Sequence, residues 1–298
     1  MPRKKDIWRC GISRRSIAEI VVSGEIGNDV VWLPVEPEFE FTADPFGHWV
    51  DDQLHVFVEH YDYRSRHGVI RKLLYDQELN LVGQMRCLSE PWHLSYPQIF
   101  QGEGQMWMLP EGYRSGHLTI YRDHGGLTDW RPEYRLALDF VPVDASILHH
   151  QDRWWLFYSP ATSKGSRKGH LHVAWAERLC GPWTTHPGNP VRVDPGSSRP
   201  GGTPVVIDGR VMLPVQDCRV TYGGGVRPLW VEQLDEKSFV AEAGAPISLP
   251  TSAGSFTDGM HTLSACGDLT LFDVKRIDRS YRGLFIDFRR MLREFDRL

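Results

Sequence analysis

The chain has 298 residues, 41% of them apolar and 24% charged, with a formal charge of −4. That is enough apolar material for a sizeable core and excludes a disordered chain. The acidic balance excludes a general binder of phosphate backbones, so no nucleic-acid partner is expected. With 28 Gly, 20 Pro, 11 Trp, 10 Tyr and 13 Phe, the composition points to a turn-rich all-β protein whose aromatic faces suit the stacking of sugar rings.

The opening residues MPRKKDIWRC carry a basic start with no apolar run behind it. Nowhere does the chain reach the roughly 18 consecutive apolar residues of a membrane-spanning helix. Neither a signal peptide nor a membrane span is expected. Cys10, Cys87, Cys180, Cys218 and Cys266 are widely spaced and form no CxxC pair. They read as free thiols in a reducing compartment, so the expected location is cytoplasmic. Residues 17–33 read as strands that lead into the first of five repeats, and an N-terminal strand is expected to complete the last repeat.

The repeats begin near residues 43, 95, 143, 199 and 258. Each has a polar or Pro/Gly entry, a short apolar run, a turn (VDD, GEG, HQD, IDG, ACGD) and a second run of alternating apolar residues. That is the grammar of a β-hairpin. Further short strands such as HLTIYRD and HLHVAWAE lie between the hairpins. Four strands per period, five times over, predict a single all-β domain, a five-bladed β-propeller spanning 1–298. A solenoid would not need five entries of matching chemistry. The tail 280–298 carries Leu284, Phe285, Phe288, Met291, Leu292 and Phe295 at helical spacing, and reads as a helix that packs on the propeller or binds a partner.

Inner strands of a propeller start at one end of its central channel, and the end of the second strand of each hairpin returns to that end. A 15-residue offset then pairs Asp44 with Glu59, Tyr96 with Glu111, Asp144 with Ser159 and Gly201 with Gln216, while Met260 leads to Asp273. The mouth is thus expected to gather Asp44, Glu59, Tyr96, Glu111, Asp144, Gln216, Asp217 and His261, with Trp49, Tyr61, Trp92, Trp107 and Tyr113 nearby. Carboxylates that interrupt apolar strands need a partner or a function. A ring of them beside aromatics suits a sugar, whose hydroxyls take charge-assisted hydrogen bonds.

The entries ADPF (43–46), VDAS (143–146) and GMHT (259–262) resemble those of the five-bladed propellers of glycoside hydrolase family 43. That resemblance implies Asp44 as general base, Asp144 as the group that tunes the acid, and His261 beside a central water or ion. A closer likeness is to the N-terminal propeller domain of plant glucosamine inositolphosphorylceramide transferases, which also occurs fused to formyltransferase-like domains in bacteria. WLP, HLSYP, MLPEG, RWWLFYS, SRPGGTP, QDC, YGGGV and MHTL carry it in order along the chain. It implies carbohydrate or nucleotide-sugar metabolism. One departure matters: where family 43 has its fourth-blade acid, this chain has Arg199, which cannot release a proton near neutral pH.

The expected function is therefore a carbohydrate-active enzyme that cleaves or transfers a glycosyl unit. Asp44 would be base or nucleophile and Glu111 the proton donor, with Glu59 as the other possible donor. Asp144 would orient the substrate or tune the donor. Glu59, Tyr96, Arg199, Gln216, Asp217, Arg219, Tyr222 and His261 would bind. No cofactor is required, although an ion at His261 in the central channel fits the resemblance. One alternative is a binding module that presents a sugar or nucleotide sugar to a partner enzyme. Another is a phosphate-dependent enzyme that uses Arg199 and Arg219. The basic stretch RKGH (167–170) reads as a lid over the mouth.

Overall fold

The computed structural model describes residues 4–295, with side chains described through Phe288. The first strand, β1 (Lys5–Ser13), is followed by a short helix α1 (Ile17–Ser23) and β2 (Val30–Trp32). Blade one is β3 (Glu40–Val50), β4 (Gln53–Asp62), β5 (His67–Tyr75) and β6 (Leu81–Leu88). Blade two is β7 (Ser95–Gly102), β8 (Gln105–Glu111), β9 (Leu118–Asp123) and β10 (Trp130–Leu136). Blade three is β11 (Pro142–His150), β12 (Arg153–Pro160), β13 (His170–Ala176), β14 (Thr184–Thr185) and β15 (Arg192–Val193), with the one-turn helix α2 (Ser166–Gly169) before β13. Blade four is β16 (Arg199–Pro200), β17 (Val205–Ile207), β18 (Arg210–Gln216), β19 (Val226–Leu234) and β20 (Phe239–Ala243). Strands β21 (Leu263–Cys266) and β22 (Leu269–Asp278) precede the C-terminal helix α3 (Arg282–Phe295).

Five antiparallel sheets result, and the fold is a five-bladed propeller. The last sheet has the order β2-β1-β22-β21, so the N-terminal strand completes the last blade. β1 runs in unbroken register along β22, from Lys5 opposite Asp278 to Ser13 opposite Thr270. The core lies between adjacent blades. Trp107, Leu109 and Ile120 of blade two pack on Ile147, Trp154 and Leu156 of blade three, for instance, and Trp155 and Phe157 of blade three pack on Leu213 and Leu229 of blade four.

Residues 17–33 are not all strand. Ser16 and Glu19 form a reciprocal capping box, Ser16 accepting from the Glu19 N–H and Glu19 from the Ser16 N–H, and Gly24 ends the helix in the left-handed conformation. The S-x-x-E signature is a helix start, and it outweighs the alternation that suggested strands. Only Val30–Trp32 is a strand there. The C-terminal tail is helical over Arg282–Phe295, but the described part of its apolar stripe, Leu284, Phe285 and Phe288, does not pack on the propeller. Gly283 and Ile286 are buried, whereas Leu284, Phe285 and Phe288 are exposed. The side chains of Met291, Leu292 and Phe295, and residues 296–298, lie outside the described residues. All five cysteines are free, and Cys10, Cys218 and Cys266 are buried.

Candidate functional site: an acidic cavity at the channel mouth

The inner strands of blades one, two and three share a single irregularity. Pairing slips between Ala43 and Phe46, between Ser95 and Gln98, and between Val143 and Ser146. The residue after each slip begins, Asp44, Tyr96 or Asp144, has φ near +50° (50°, 47° and 47°). Aspartate tolerates this left-handed conformation, whereas tyrosine adopts it only where the surroundings hold it. The bulge turns these side chains toward the channel. It also changes the register: Glu59, Glu111 and Ser159 lie opposite Ala43, Ser95 and Val143. In blade four Arg199, not Gly201, lies opposite Gln216.

Each bulge is braced by an acid. Asp273 Oδ2 accepts the Asp44 N–H at 3.1 Å, Asp44 Oδ2 accepts the Tyr96 N–H at 3.2 Å, and Glu111 Oε2 accepts the Asp144 N–H at 3.0 Å. The acids thus stitch blades five, one, two and three in sequence. Blade four closes the series with a cation. Arg199 Nε donates to Asp144 Oδ2 at 2.7 Å, and Gln216 Nε2 donates to the same oxygen at 2.6 Å. Two glycines permit the close approach of blades four and five. A Cβ on Gly202 would sit 1.8 Å from the Leu263 carbonyl oxygen, and one on Gly223 would sit 2.6 Å from the Trp8 ring. These contacts account for the GG pair and the YGGG run seen in the sequence.

Above these braces lies a cavity of about 280 Å³. Its floor is acidic: Asp44, Glu59, Glu111 and Asp144, with Arg199 and His261 as counter-charges. Its walls are Trp8, Phe41, Tyr61, Tyr63, His93 and Tyr222, with Asp6 and Ser95 at the side. Trp8 stacks on His261 with centroids 3.7 Å apart, and Arg199 lies 4.9 Å from the Tyr222 ring centre. A second cavity of about 310 Å³ shares Trp8 and is lined by Arg9, Glu36, Glu38, Arg276 and Arg282. The Glu36 and Glu38 carboxylates there are paired with Arg71 and Arg282.

The floor divides its protons unequally. Burial, reinforced by the neighbouring Asp144 charge, lifts Glu111 well above the usual carboxylate range. Burial alone would lift Asp144 too, but Arg199 and the Glu111 hydroxyl hydrogen-bonded to it hold Asp144 below its ordinary value. Burial and the surrounding acids push Glu59 well up. Asp44 rises to about 6, mainly by burial and against the pull of His261. Burial would lower His261, but Asp273 and Asp44 outweigh it and raise this imidazole. Its Nδ1 is 2.6 Å from Asp273 Oδ2, and its Nε2 is 3.5 Å from Asp44 Oδ1.

Asp44, His261 and Asp273 offer ligand atoms within 4.8 Å of one another, the spacing expected around a channel ion. Their donors are already committed, however. Asp273 Oδ1 accepts the N–H groups of His261 and Thr262, and Asp44 Oδ1 accepts the Thr262 hydroxyl at 2.7 Å. The set fits a hydrogen-bonded triad better than a coordination shell.

Of the residues picked out in the sequence, Asp44, Glu59, Glu111, Asp144, Arg199, Tyr222 and His261 line one cavity. Tyr96 lies beneath it, fully buried, with its hydroxyl bonded to Ser146 Oγ and donating to the Gly202 carbonyl. Gln216 is buried behind Asp144. Asp217 and Arg219 lie outside: Asp217 pairs with Arg219 and Arg227, and the Arg219 side chain is 58% exposed. Of the expected aromatics only Tyr61 is in the wall. Trp49 and Trp107 sit toward the opposite end, beside the turns after β3 and β7. Trp8, Tyr63, His93 and Asp273 were not among the expected binders. Trp8 arrives on β1 through ring closure, which no local pattern shows. Asp273 was reachable from the hairpin offset. The RKGH stretch is tied down, since Arg199 Nη1 donates to the Arg167 carbonyl at 2.9 Å.

Fold and site define a five-bladed propeller with an acid-floored cavity at one end of its channel. Solved structures share the fold. The catalytic domain of the GH62 α-L-arabinofuranosidase of Coprinopsis cinerea superposes with a TM-score of 0.57 at 12% identity, covering 81% of this chain and 93% of that one. A family 43 glycoside hydrolase from Xanthomonas citri, complexed with xylotriose, superposes with a TM-score of 0.57 at 14% identity, covering 89% and 94%. Residues 16–256 match the family model "Glucosamine inositolphosphorylceramide transferase 1, N-terminal", and the chain belongs to that family. Glucosamine inositolphosphorylceramide transferase 1 of Oryza sativa subsp. indica is 33% identical over 205 residues, 67% of this chain and 27% of the relative. Its Arabidopsis thaliana counterpart is 32% identical over 216 residues, 71% and 28%. The chain thus spans about a quarter of the length of these relatives.

Proposed function

We propose that the cavity is the active site of a carbohydrate-active enzyme that cleaves or transfers a glycosyl unit. The observation that carries this reading is the split pair on the floor. Burial and the Asp144 charge lift the Glu111 carboxyl, while Arg199, 2.7 Å from Asp144, holds that aspartate below its ordinary value. Adjacent carboxyls whose environments push their proton affinities apart are how one site supplies an acid and a charge stabiliser together. Glu111 would give its proton to the departing glycosidic oxygen as the sugar C–O bond breaks. Asp44, ionised above about pH 6, would take a proton from the incoming hydroxyl, of water in hydrolysis or of an acceptor in transfer. Glu59, with His93 at 3.5 Å, is the second carboxyl that burial raises at the cavity and would hydrogen-bond the sugar. Trp8, Tyr61 and Tyr222 would offer it ring faces. The relatives are named glucosamine inositolphosphorylceramide transferases, which favours transfer over hydrolysis as the first reaction to assay.

A binding module is the second reading, favoured by Arg199 where the hydrolase resemblance calls for an acid. A phosphate-dependent reaction has less support. Arg199 is engaged by Asp144 and the Arg167 carbonyl, and Arg219 is engaged by Asp217 outside the cavity. The test is a thermal-shift screen of monosaccharides, glycosides, sugar phosphates and nucleotide sugars, with mass-spectrometric detection of product, on wild type and Glu111→Gln. Stabilisation of both proteins by the same sugar, with product from wild type alone, is the expected result. Binding by both and product from neither would leave the module. No binding of any sugar by the wild type overturns both readings.

A further inference from the structure

The second cavity, of about 310 Å³, has no part in the glycosyl reading. It lies against blade five, where β1 and β22 run side by side. Ile7 stands opposite Arg276, and Arg9 stands opposite Val274. Residues directly opposite in an antiparallel pair share a face, so Arg9 and Arg276 are diagonal neighbours on one face, about 7–8 Å apart. Each guanidinium lies over an aromatic ring. Arg9 is 4.6 Å from the centre of Trp32, and Arg276 is 5.4 Å from the centre of Phe256. Stacking on a ring sets the plane of a guanidinium and leaves the N–H groups of its edge for a partner.

The acids in the lining already have partners. Glu36 is paired with Arg71 at 2.6 Å and lies 3.4 Å from His60. Glu38 is paired with Arg282 at 2.7 Å. Glu40 is paired with Arg64, and with His60 at 3.0 Å. Asp278 turns both oxygens to Ser280, Oδ1 accepting its N–H at 2.7 Å and Oδ2 its hydroxyl at 3.1 Å. Among the described residues, the side chains of Arg9 and Arg276 have their rings but no ion pair and no hydrogen bond. Arg9 Nε is buried without an acceptor. A buried N–H almost always has one, so a partner is missing here. Burial also pushes the Arg9 guanidinium below its ordinary value, and no described acid counters it.

We propose that this cavity binds a phosphate monoester, whose phosphate oxygens accept the free N–H groups of Arg9 and Arg276. Two guanidinium forks offer more donors than the two oxygens of a carboxylate take side by side, whereas a phosphate monoester presents three free oxygens to them. The organic body of the ester lies on Ile7, Pro34, Phe39 and Phe256. Small-molecule sites run from roughly 300 Å³ upward, so the cavity has room for that body. Trp8 belongs to the walls of both cavities. The phosphate site therefore adjoins the acid-floored one but shares none of its carboxyls. The inference does not depend on the glycosyl reading, since binding here requires no turnover.

Isothermal titration calorimetry of the full chain, in a buffer free of phosphate, tests it with glucose 1-phosphate, inorganic phosphate, glucuronate and glucose. Glucose 1-phosphate is expected to bind more tightly than the other three. Arg276→Gln, at an exposed position, should weaken that binding about tenfold or more while the melting temperature stays unchanged, because charge-assisted hydrogen bonds are lost. Arg9→Gln should weaken it as much, and Glu111→Gln should leave it unaltered. Absence of binding, or binding indifferent to Arg276→Gln, would overturn the proposal. Loss of binding in Glu111→Gln would place the ligand in the acid-floored cavity and overturn it too. Glucuronate or glucose binding as tightly would assign the cavity to a carboxylate or a neutral sugar, and inorganic phosphate binding as tightly would assign it to the free anion. Each of these overturns the ester and leaves the glycosyl reading standing.

Discussion

At the scale of the residue, Arg199 decides the chemistry of the floor. It sits where the glycoside hydrolase resemblance calls for an acid, and it is bonded to Asp144 at 2.7 Å in a place where both side chains are less than a tenth exposed. Removing one partner of a buried, hydrogen-bonded ion pair leaves a charge with no solvent and no counter-charge. Arg199→Met is therefore expected to cost about 3–5 kcal/mol in urea denaturation. Arg219→Ala breaks an ion pair whose arginine is 58% exposed, and its expected cost is under about 1 kcal/mol. Equal costs for the two would contradict the placement of Arg199. The raised acids give a second prediction. A carboxyl that binds its proton more tightly in the folded chain stabilises the fold below its unfolded value and loses that contribution as pH rises through its folded value. For Asp44 this window runs from 3.8 to about 6, and for Glu59 and Glu111 it extends higher. His261, also raised, acts in the same sense; Asp144 opposes it, and so do His55, His93 and His172, which burial lowers to about 4. Above about pH 6.5, the ordinary value of the histidines that burial lowers, the raised glutamates should make stability fall as pH rises, and Glu59→Gln should flatten that fall. An unchanged slope in that variant would show that Glu59 titrates as an ordinary carboxylate.

At the scale of the element, the five hairpins could be read from the chain because a hairpin is local: alternation, turn and alternation fall within about twenty residues. The bulges could not. A one-residue slip alters neither composition nor alternation visibly, yet it decides which side chain meets the channel. In blade four the pairing shifts by two residues, from Pro200 opposite Val215 to Val205 opposite Met212, so the offset points to Gly201 where Arg199 stands. Helix α1 was hidden for a different reason, since a seven-residue helix with two buried isoleucines offers little periodicity and only its capping box gives it away. Ring closure is the least local feature. β1 pairs with β22 across nearly the whole chain and delivers Trp8 to the site, so the local pattern shows Tyr61 of the aromatic wall but not Trp8. Deleting residues 1–13 should remove the third strand of blade five, strip Trp8 from His261 and leave β22 with an open edge. The expected result is loss of the cooperative thermal transition in circular dichroism. A truncated chain that melts like the wild type would contradict the closure.

At the scale of the molecule, the propeller turns five weakly similar segments into one site. Each blade contributes a side chain or two to the floor, and each bulge is held by an acid of the blade before it, so folding and site assembly are one event. The carboxyls were legible as a set because the repeat phases them alike, but their unequal protonation was not, because it depends on which acid meets Arg199. That inequality between Glu111 and Asp144 is the centre of the account and can be measured without knowing the substrate. The measurement is a carbon-13 NMR titration of the side-chain carboxyls, with Glu111→Gln and Asp144→Asn used for assignment. The account predicts that Glu111 still carries its proton at neutral pH while Asp144 is already ionised below the usual aspartate range, and that Arg199→Met narrows the gap. Glu111 ionising with the surface glutamates, in the wild type, would contradict it.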